Sequence, residues 1–161
     1  QIGGPAVSLS DDGAEQPDFQ VPLLKRDYTL TFRLTVFDDL QPSAPDTVTI
    51  EVVSDNQKPI ADAGAPQTLS ADIGTTLTLD GTGSSDPDDD PLTYRWTQTG
   101  GPAVTLSSTT STTPTFNVPA LWSETAFTFR LIVNDGGYDS DPDTVTITLR
   151  ANTTENLWII Y

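Results

Sequence analysis

The chain of 161 residues repeats itself once, out of phase with its own ends. Residues 1–53 align without a gap on residues 98–150, a displacement of 97 positions (98 − 1). Gly3-Gly4-Pro5-Ala6-Val7 falls on Gly100-Gly101-Pro102-Ala103-Val104, and Thr31-Phe32-Arg33-Leu34 falls on Thr128-Phe129-Arg130-Leu131. Pro45-Asp46-Thr47-Val48-Thr49-Ile50 likewise meets Pro142-Asp143-Thr144-Val145-Thr146-Ile147. A match of this length marks a duplicated unit and not a shared composition. The first copy has no counterpart of residues 58–97. Residues 1–54 therefore read as the back part of one unit with its first strands missing, 58–150 as a complete unit, and 151–161 as a tail. Gln1 falls inside a unit, so the chain reads as an excerpt or a processed product.

The local pattern is strand, turn, strand. Residues 76–79, 92–97, 127–133 and 144–149 alternate apolar with polar or Thr positions, the period of a half-buried strand. With 13 prolines and 11 glycines, the chain is punctuated too often for a helical period. Short strands at this spacing predict an all-β, immunoglobulin-like antiparallel β-sandwich. Its expected core is Leu77, Leu79, Tyr94, Trp96, Val104, Leu106, Phe116, Val118, Phe127, Phe129, Leu131, Val133, Val145, Ile147 and Leu149. Trp96 alternates with Tyr94 in mid-strand and reads as a core aromatic, not a ligand platform. The first copy would expose the equivalent residues Val7, Leu9, Phe19, Phe32, Leu34, Val48 and Ile50, and half a sandwich does not hold a fold well by itself.

Charge and residue types exclude much. The net charge of −16, from 23 acidic against 7 basic residues, repels nucleic acid and anionic membranes. Cysteine, histidine and methionine are absent, which removes thiol and imidazole nucleophiles, thiolate zinc sites and disulfides. No pocket or leaving-group binder accompanies the aspartates, so an enzyme is not expected. The Thr-, Ser- and Asp-rich composition points to an extracellular or cell-surface protein of prokaryotic type.

An ordered series of motifs carries a family resemblance. Ala61-Asp62-Ala63-Gly64, Leu79-Asp80-Gly81-Thr82-Gly83-Ser84-Ser85-Asp86-Pro87-Asp88, Leu92-Thr93-Tyr94-Arg95-Trp96-Thr97-Gln98, Gly101-Pro102-Ala103-Val104 and Val133-Asn134-Asp135-Gly136 together resemble the PKD family in its receptor-for-egg-jelly-like form. The resemblance implies an immunoglobulin-like sandwich in the extracellular parts of surface proteins, adhesins and secreted hydrolases. There it serves as a spacer or a protein or carbohydrate contact, and some bacterial members bind calcium. Tyr94-Arg95-Trp96-Thr97-Gln98 departs from the Trp-Asp-Phe-Gly-Asp run of many members.

The acidic loops are where chemistry would lie. Asp86, Asp88 and Asp90 alternate within a Pro-bounded loop, and Asp135, Asp139 and Asp141 precede the last strand. An immunoglobulin-like topology brings both loops to the end that holds Asp62 and the linker at Asp55 and Asn56. Carboxylates packed together favour a divalent cation, and oxygen donors in this number suit calcium. The competing reading is that Asp-Pro-Asp stretches are turn formers that cap their own backbone. The matching loop of the first copy, Asp38-Asp39-Leu40-Gln41-Pro42-Ser43-Ala44-Pro45-Asp46, lacks partners for Asp139 and Asp141, so its site should be weaker.

Three lesser features complete the inventory. Asn152 begins a glycosylation sequon. The hydroxyl run over residues 107–113 reads as a flexible loop. Leu157, Trp158, Ile159, Ile160 and Tyr161 form an apolar run, too short to span a bilayer but suited to an added inter-subunit strand. The expected function is a non-catalytic extracellular module of a filament, sheath or adhesin with calcium-stiffened junctions. Its partners would be neighbouring PKD-like modules, copies of itself, glycans or a cell-surface protein. In the filament form, the incomplete unit is finished by strands of a neighbouring chain. The alternatives are a passive spacer in a secreted multidomain enzyme or stalk, and a carbohydrate- or protein-binding module, for which Trp122, Tyr138 and Trp158 are the aromatic candidates.

Overall fold

A computed structural model describes residues 1–38 and 40–150. Asn152 and the run from Leu157 to Tyr161 lie outside the described residues. The chain divides into two compact units, Gln1–Asn56 and Gln57–Tyr161. Among the described residues all regular structure is β, as the alternating pattern requires.

In the first unit, β1 (Tyr28–Leu34) and β2 (Asp46–Val52) form an antiparallel hairpin in which Leu30 faces Ile50 and Phe32 faces Val48. Isolated bridges join the preceding segment to itself and to the hairpin, Leu9 with Phe19 and Gly3 with Thr31, and the Phe19 ring packs against Phe32 of β1.

The second unit is a two-layer sandwich. One sheet runs β3 (Gln67–Ser70), β8 (Asp143–Arg150), β7 (Thr125–Asn134), β5 (Thr93–Gly100), and the other pairs β4 (Thr76–Thr78) with β6 (Thr115–Asn117). The sandwich is not purely antiparallel, because β3 lies parallel to β8, with Gln67 opposite Ile147 and Ser70 opposite Arg150. Parallel neighbours need a long connection, and the whole of residues 71–142 supplies it. Strands β3 and β6 escape the sequence reading because four and three residues are too few to show a period.

The inward positions of β7 and β8 make the core. Phe127, Phe129, Leu131, Val133 and Leu149 are fully buried, with Leu79, Trp96, Phe116, Val118, Val145 and Ile147 beside them. Leu77, Tyr94, Val104 and Leu106 pack against this cluster from the rim. Each large apolar side chain so buried contributes about 1.5–3 kcal/mol. Trp96 is 2% exposed, and its Nε1 donates to Ser111 O at 3.1 Å, which satisfies the one polar atom of the ring.

The hydroxyl run is not a loose loop. Thr109 O accepts from Trp96 N at 2.8 Å, Thr112 O from Gly81 N at 2.9 Å, and the next residue but one, Pro114, accepts from Leu79 N at 2.8 Å. Irregular backbone here serves as an edge to the core strands. Its hydroxyls bond inward as well: Ser107 Oγ accepts from Thr115 N at 2.9 Å and Ser108 Oγ from Ser111 N at 3.1 Å.

Candidate functional site

The acidic residues gather at the end of the second unit where its chain enters. Residues 57–63 are laced to both acidic loops. Ile60 exchanges backbone hydrogen bonds with Ser85, N to O at 2.8 Å and O from N at 3.0 Å, and also bridges Asp141. Asp62 N donates to Ser84 Oγ at 3.1 Å, and Ala63 N donates to Asp143 Oδ2 at 2.7 Å. Gln57 binds the Asp88 carboxylate twice, from its backbone N at 2.6 Å and from Nε2 at 2.7 Å. Lys58 Nζ lies 2.6 Å from Asp141 Oδ1. The entering segment, the 84–90 loop and the 139–143 loop thus meet, as the topology predicts.

The carboxylates are used by the fold itself. Asp86 Oδ1 accepts from Asp88 N at 2.9 Å and Asp90 N at 3.2 Å, closing the Pro-bounded turn, and Asp89 at its tip takes a φ of 60°. Asp135, 2% exposed, accepts at Oδ1 from Gly137 N and Tyr138 N, both at 2.6 Å. Asp139 accepts from Asn134 Nδ2 at 2.9 Å and faces Arg95 at 3.4 Å. Asp62 Oδ1 accepts from Gly64 N at 2.8 Å, and its other oxygen lies against Gly83, where a Cβ would collide with it. Next to the site, Asp80 is held below the ordinary aspartate value by the Thr82 hydroxyl first and the Thr82 amide second.

Among the described residues, no three acidic side chains gather as a metal ion requires. One oxygen at this end is buried without a hydrogen-bond partner, Asp86 Oδ2. A single oxygen is short of the six to eight donors calcium takes. To build more, an ion would have to draw Asp88 from Gln57 and Asp141 from Lys58. As placed, the carboxylates of Asp86, Asp88 and Asp141 bind backbone amides, Gln57 and Lys58.

Sequence reasoning missed two polar residues that organise irregular backbone, one in the 139–143 loop and one at the end of β5. Ser140, 5% exposed, donates its backbone N to Val133 O at 2.8 Å and accepts at Oγ from Val133 N at 3.0 Å. Gln98 closes the segment after β5: Nε2 donates to Gly100 O at 3.1 Å and Pro102 O at 2.7 Å, and Oε1 accepts from Val104 N at 3.0 Å. The signal was present in the repeat itself, since Ser43 and Gln1 stand at the matching positions. Trp122 is 92% exposed and Tyr138 is half-buried.

A family model described as "K319L-like, PKD domain" matches residues 63–149. A mouse (Mus musculus) protein named dyslexia-associated protein KIAA0319-like is 37% identical over 106 residues, which are 64% of this chain and 10% of that protein. The chain thus spans about a tenth of the length of this relative. Among solved structures, the PKD domain from KIAA 1837 protein is 27% identical over 58% of this chain and 87% of that one, with a TM-score of 0.44. A nucleoside hydrolase-related hypothetical protein from Saccharophagus degradans, described as associated with carbohydrate metabolism, is 25% identical over 60% of this chain and 26% of that one, with a TM-score of 0.47.

Proposed function

The chain belongs to the K319L-like PKD domain family, and from that premise we propose that it is a non-catalytic, extracellular, adhesion-type structural module that carries load along its length. One observation supports the load-bearing reading: chain entry and exit lie at opposite ends of the second unit. Entry is at Lys58, bonded to Asp141 ahead of β8, and exit is at Arg150, paired with Glu124 at 3.4 Å and opposite Ser70 in the ladder. The eight residues of β8 separate these ends by about 26 Å. Force applied between them slides β3 along β8 and loads the ladder bonds together instead of one after another.

The entering segment stiffens the same end. Its bonds to Ser84, Ser85, Asp88, Asp141 and Asp143 hold residues 57–63 against the sandwich. Calcium has no assigned part in this reading. A second reading, protein or carbohydrate contact, is supported by Trp122, whose ring stands in solvent beside the half-buried Leu121.

Single-molecule pulling of the full chain within a polyprotein tests the proposal. The second unit should unfold in one high-force step, and Thr68→Pro, which puts a proline ring in the middle of the pairing of β3 with β8, should lower that force clearly. An unfolding force unchanged by Thr68→Pro would contradict it.

A further inference from the structure

The repeat keeps more than its core. Phe127, Phe129, Leu131 and Val133 point into the sandwich, so Thr128 and Arg130 stand on the outer face of the sheet, opposite Thr146 and Thr144 of β8. The hydroxyls of Thr128 and Thr146 lie 3.3 Å apart on that face. In the first unit Thr31 faces Thr49 and Arg33 faces Thr47 in the same register. These four positions are identical in both units, whereas every other outward position of β7 and β8 differs, as Ile132, Thr148 and Arg150 do from Thr35, Glu51 and Val53. Strand propensity accounts for the threonines, not for an unchanged arginine among changed neighbours.

Glycine borders the block in both units. Gly100 pairs with Thr128 and Gly3 with Thr31, and a Cβ at either place would press on the threonine side chain at 3.3 Å. Neither glycine takes a positive φ, so it is the space beside the threonine, not the backbone, that calls for glycine. Among the described residues neither Arg130 nor Arg33 forms an ion pair. No outward position of β5, β7 or β8 carries a carboxylate, in a chain with 23 acidic residues. The guanidinium is thus left free on an open, hydroxyl-lined surface.

We propose that this block, an arginine with three threonines beside a glycine, is a carboxylate-binding site carried once by each unit, and that its ligand is a linear acidic polysaccharide built from uronates. The guanidinium offers a planar fork of donors that matches a carboxylate, and the threonine hydroxyls match the hydroxyls of a sugar ring. The face of a sheet, whose backbone donors are spent in the ladder, cannot take on a peptide as an added strand, so a sugar chain suits it better than an acidic peptide. One block in each unit suits a ligand that repeats its anion along its length. The acidic loops do not forbid such a ligand, because one charge per sugar is far sparser than the charge of a nucleic-acid duplex, about one per 1.7 Å. The proposal does not depend on the load-bearing reading.

The test is calorimetric titration of the full chain with polygalacturonate at low ionic strength. Binding should saturate, and Arg33→Gln together with Arg130→Gln should weaken it by about tenfold or more while leaving the melting curve unchanged. Lys25→Gln together with Arg26→Gln, the same change of net charge elsewhere, should alter it by less than about twofold. Fully methyl-esterified polygalacturonate, which keeps the sugars and loses the charge, should not bind. An absence of saturable binding, equal binding of the ester, or equal loss in the two paired variants overturns the proposal. So does poly-glutamate that binds as tightly and is lost with the same arginines, since an acidic peptide would then be the occupant.

Discussion

The two units share their local hydrogen bonds and differ in what lies on top of them. Gln1 bonds to Gly3 O, Pro5 O and Val7 N at 2.8, 2.7 and 2.9 Å, as Gln98 does to Gly100, Pro102 and Val104. Phe19 and Phe32 meet with ring centroids 5.1 Å apart at 41°, and Phe116 and Phe129 at 5.2 Å and 42°. Asp38 receives Leu40 N and Gln41 N just as Asp135 receives Gly137 N and Tyr138 N. Gly4 and Gly101 have φ of 88° and 87°, each pressed so close to a carbonyl of the next strand that no side chain fits. Yet Asp38 and Ser43 are exposed where Asp135 and Ser140 are buried. Local geometry is thus written in short stretches of sequence, and burial comes from β3, β4 and β5, which only one unit has.

This contrast can be broken by paired substitutions. The largest effect is expected for a charge in the shared hairpin: Val145→Asp should cost about 4 kcal/mol or more and unfold the second unit, whereas Val48→Asp should change stability by less than about 0.5 kcal/mol. Circular dichroism melts of the two variants check this. Phe129→Ala should cost about 3–5 kcal/mol, and the half-exposed Phe32, cut to Ala, about 1 kcal/mol.

Polar pairs sharpen the comparison at smaller scale. Ser140→Ala leaves the buried Val133 N without its side-chain acceptor and should cost about 1–3 kcal/mol by denaturant melt, while Ser43→Ala, in solvent, should fall within about 0.5 kcal/mol. Calcium titration followed by calorimetry should give no saturable heat for either unit, because the carboxylates already serve amides and Lys58. Saturable binding abolished by Asp88→Asn would show that the loops rearrange around an ion. The smallest effect concerns pH. Asp80 and Asp38 have lowered carboxyl pKa values, Asp38 through the amides of Gln41 first and Leu40 second. A depressed value means stability present above the ordinary aspartate range and lost as pH falls through the folded value, below about pH 4. Asp80→Asn should therefore flatten a slight acid-side loss in the melting curve.

The sandwich was legible because Phe127, Phe129, Leu131 and Val133 alternate cleanly, and because residues 1–53 repeat the pattern of residues 98–150. The meeting of the acidic loops followed from topology. Their use of backbone amides did not, since Asp86 or Asp135 looks the same in sequence whether it closes a turn or holds an ion. Strand β3 stayed hidden because its stability comes from the β8 edge and not from its own four residues. The order in the Ser-Thr run arises from Trp96, Gly81 and Leu79, all distant in sequence, which composition cannot report.

Site-resolved hydrogen exchange on the intact chain tests the central claim most directly. Amides of Val145, Ile147 and Leu149 should open only with global unfolding, and those of Val48, Ile50 and Val52 should exchange faster by about a hundredfold or more, the factor for a gap of about 3 kcal/mol. Equal protection of the two hairpins in a monomer would contradict the account, since burial would then not depend on the strands that only the second unit possesses.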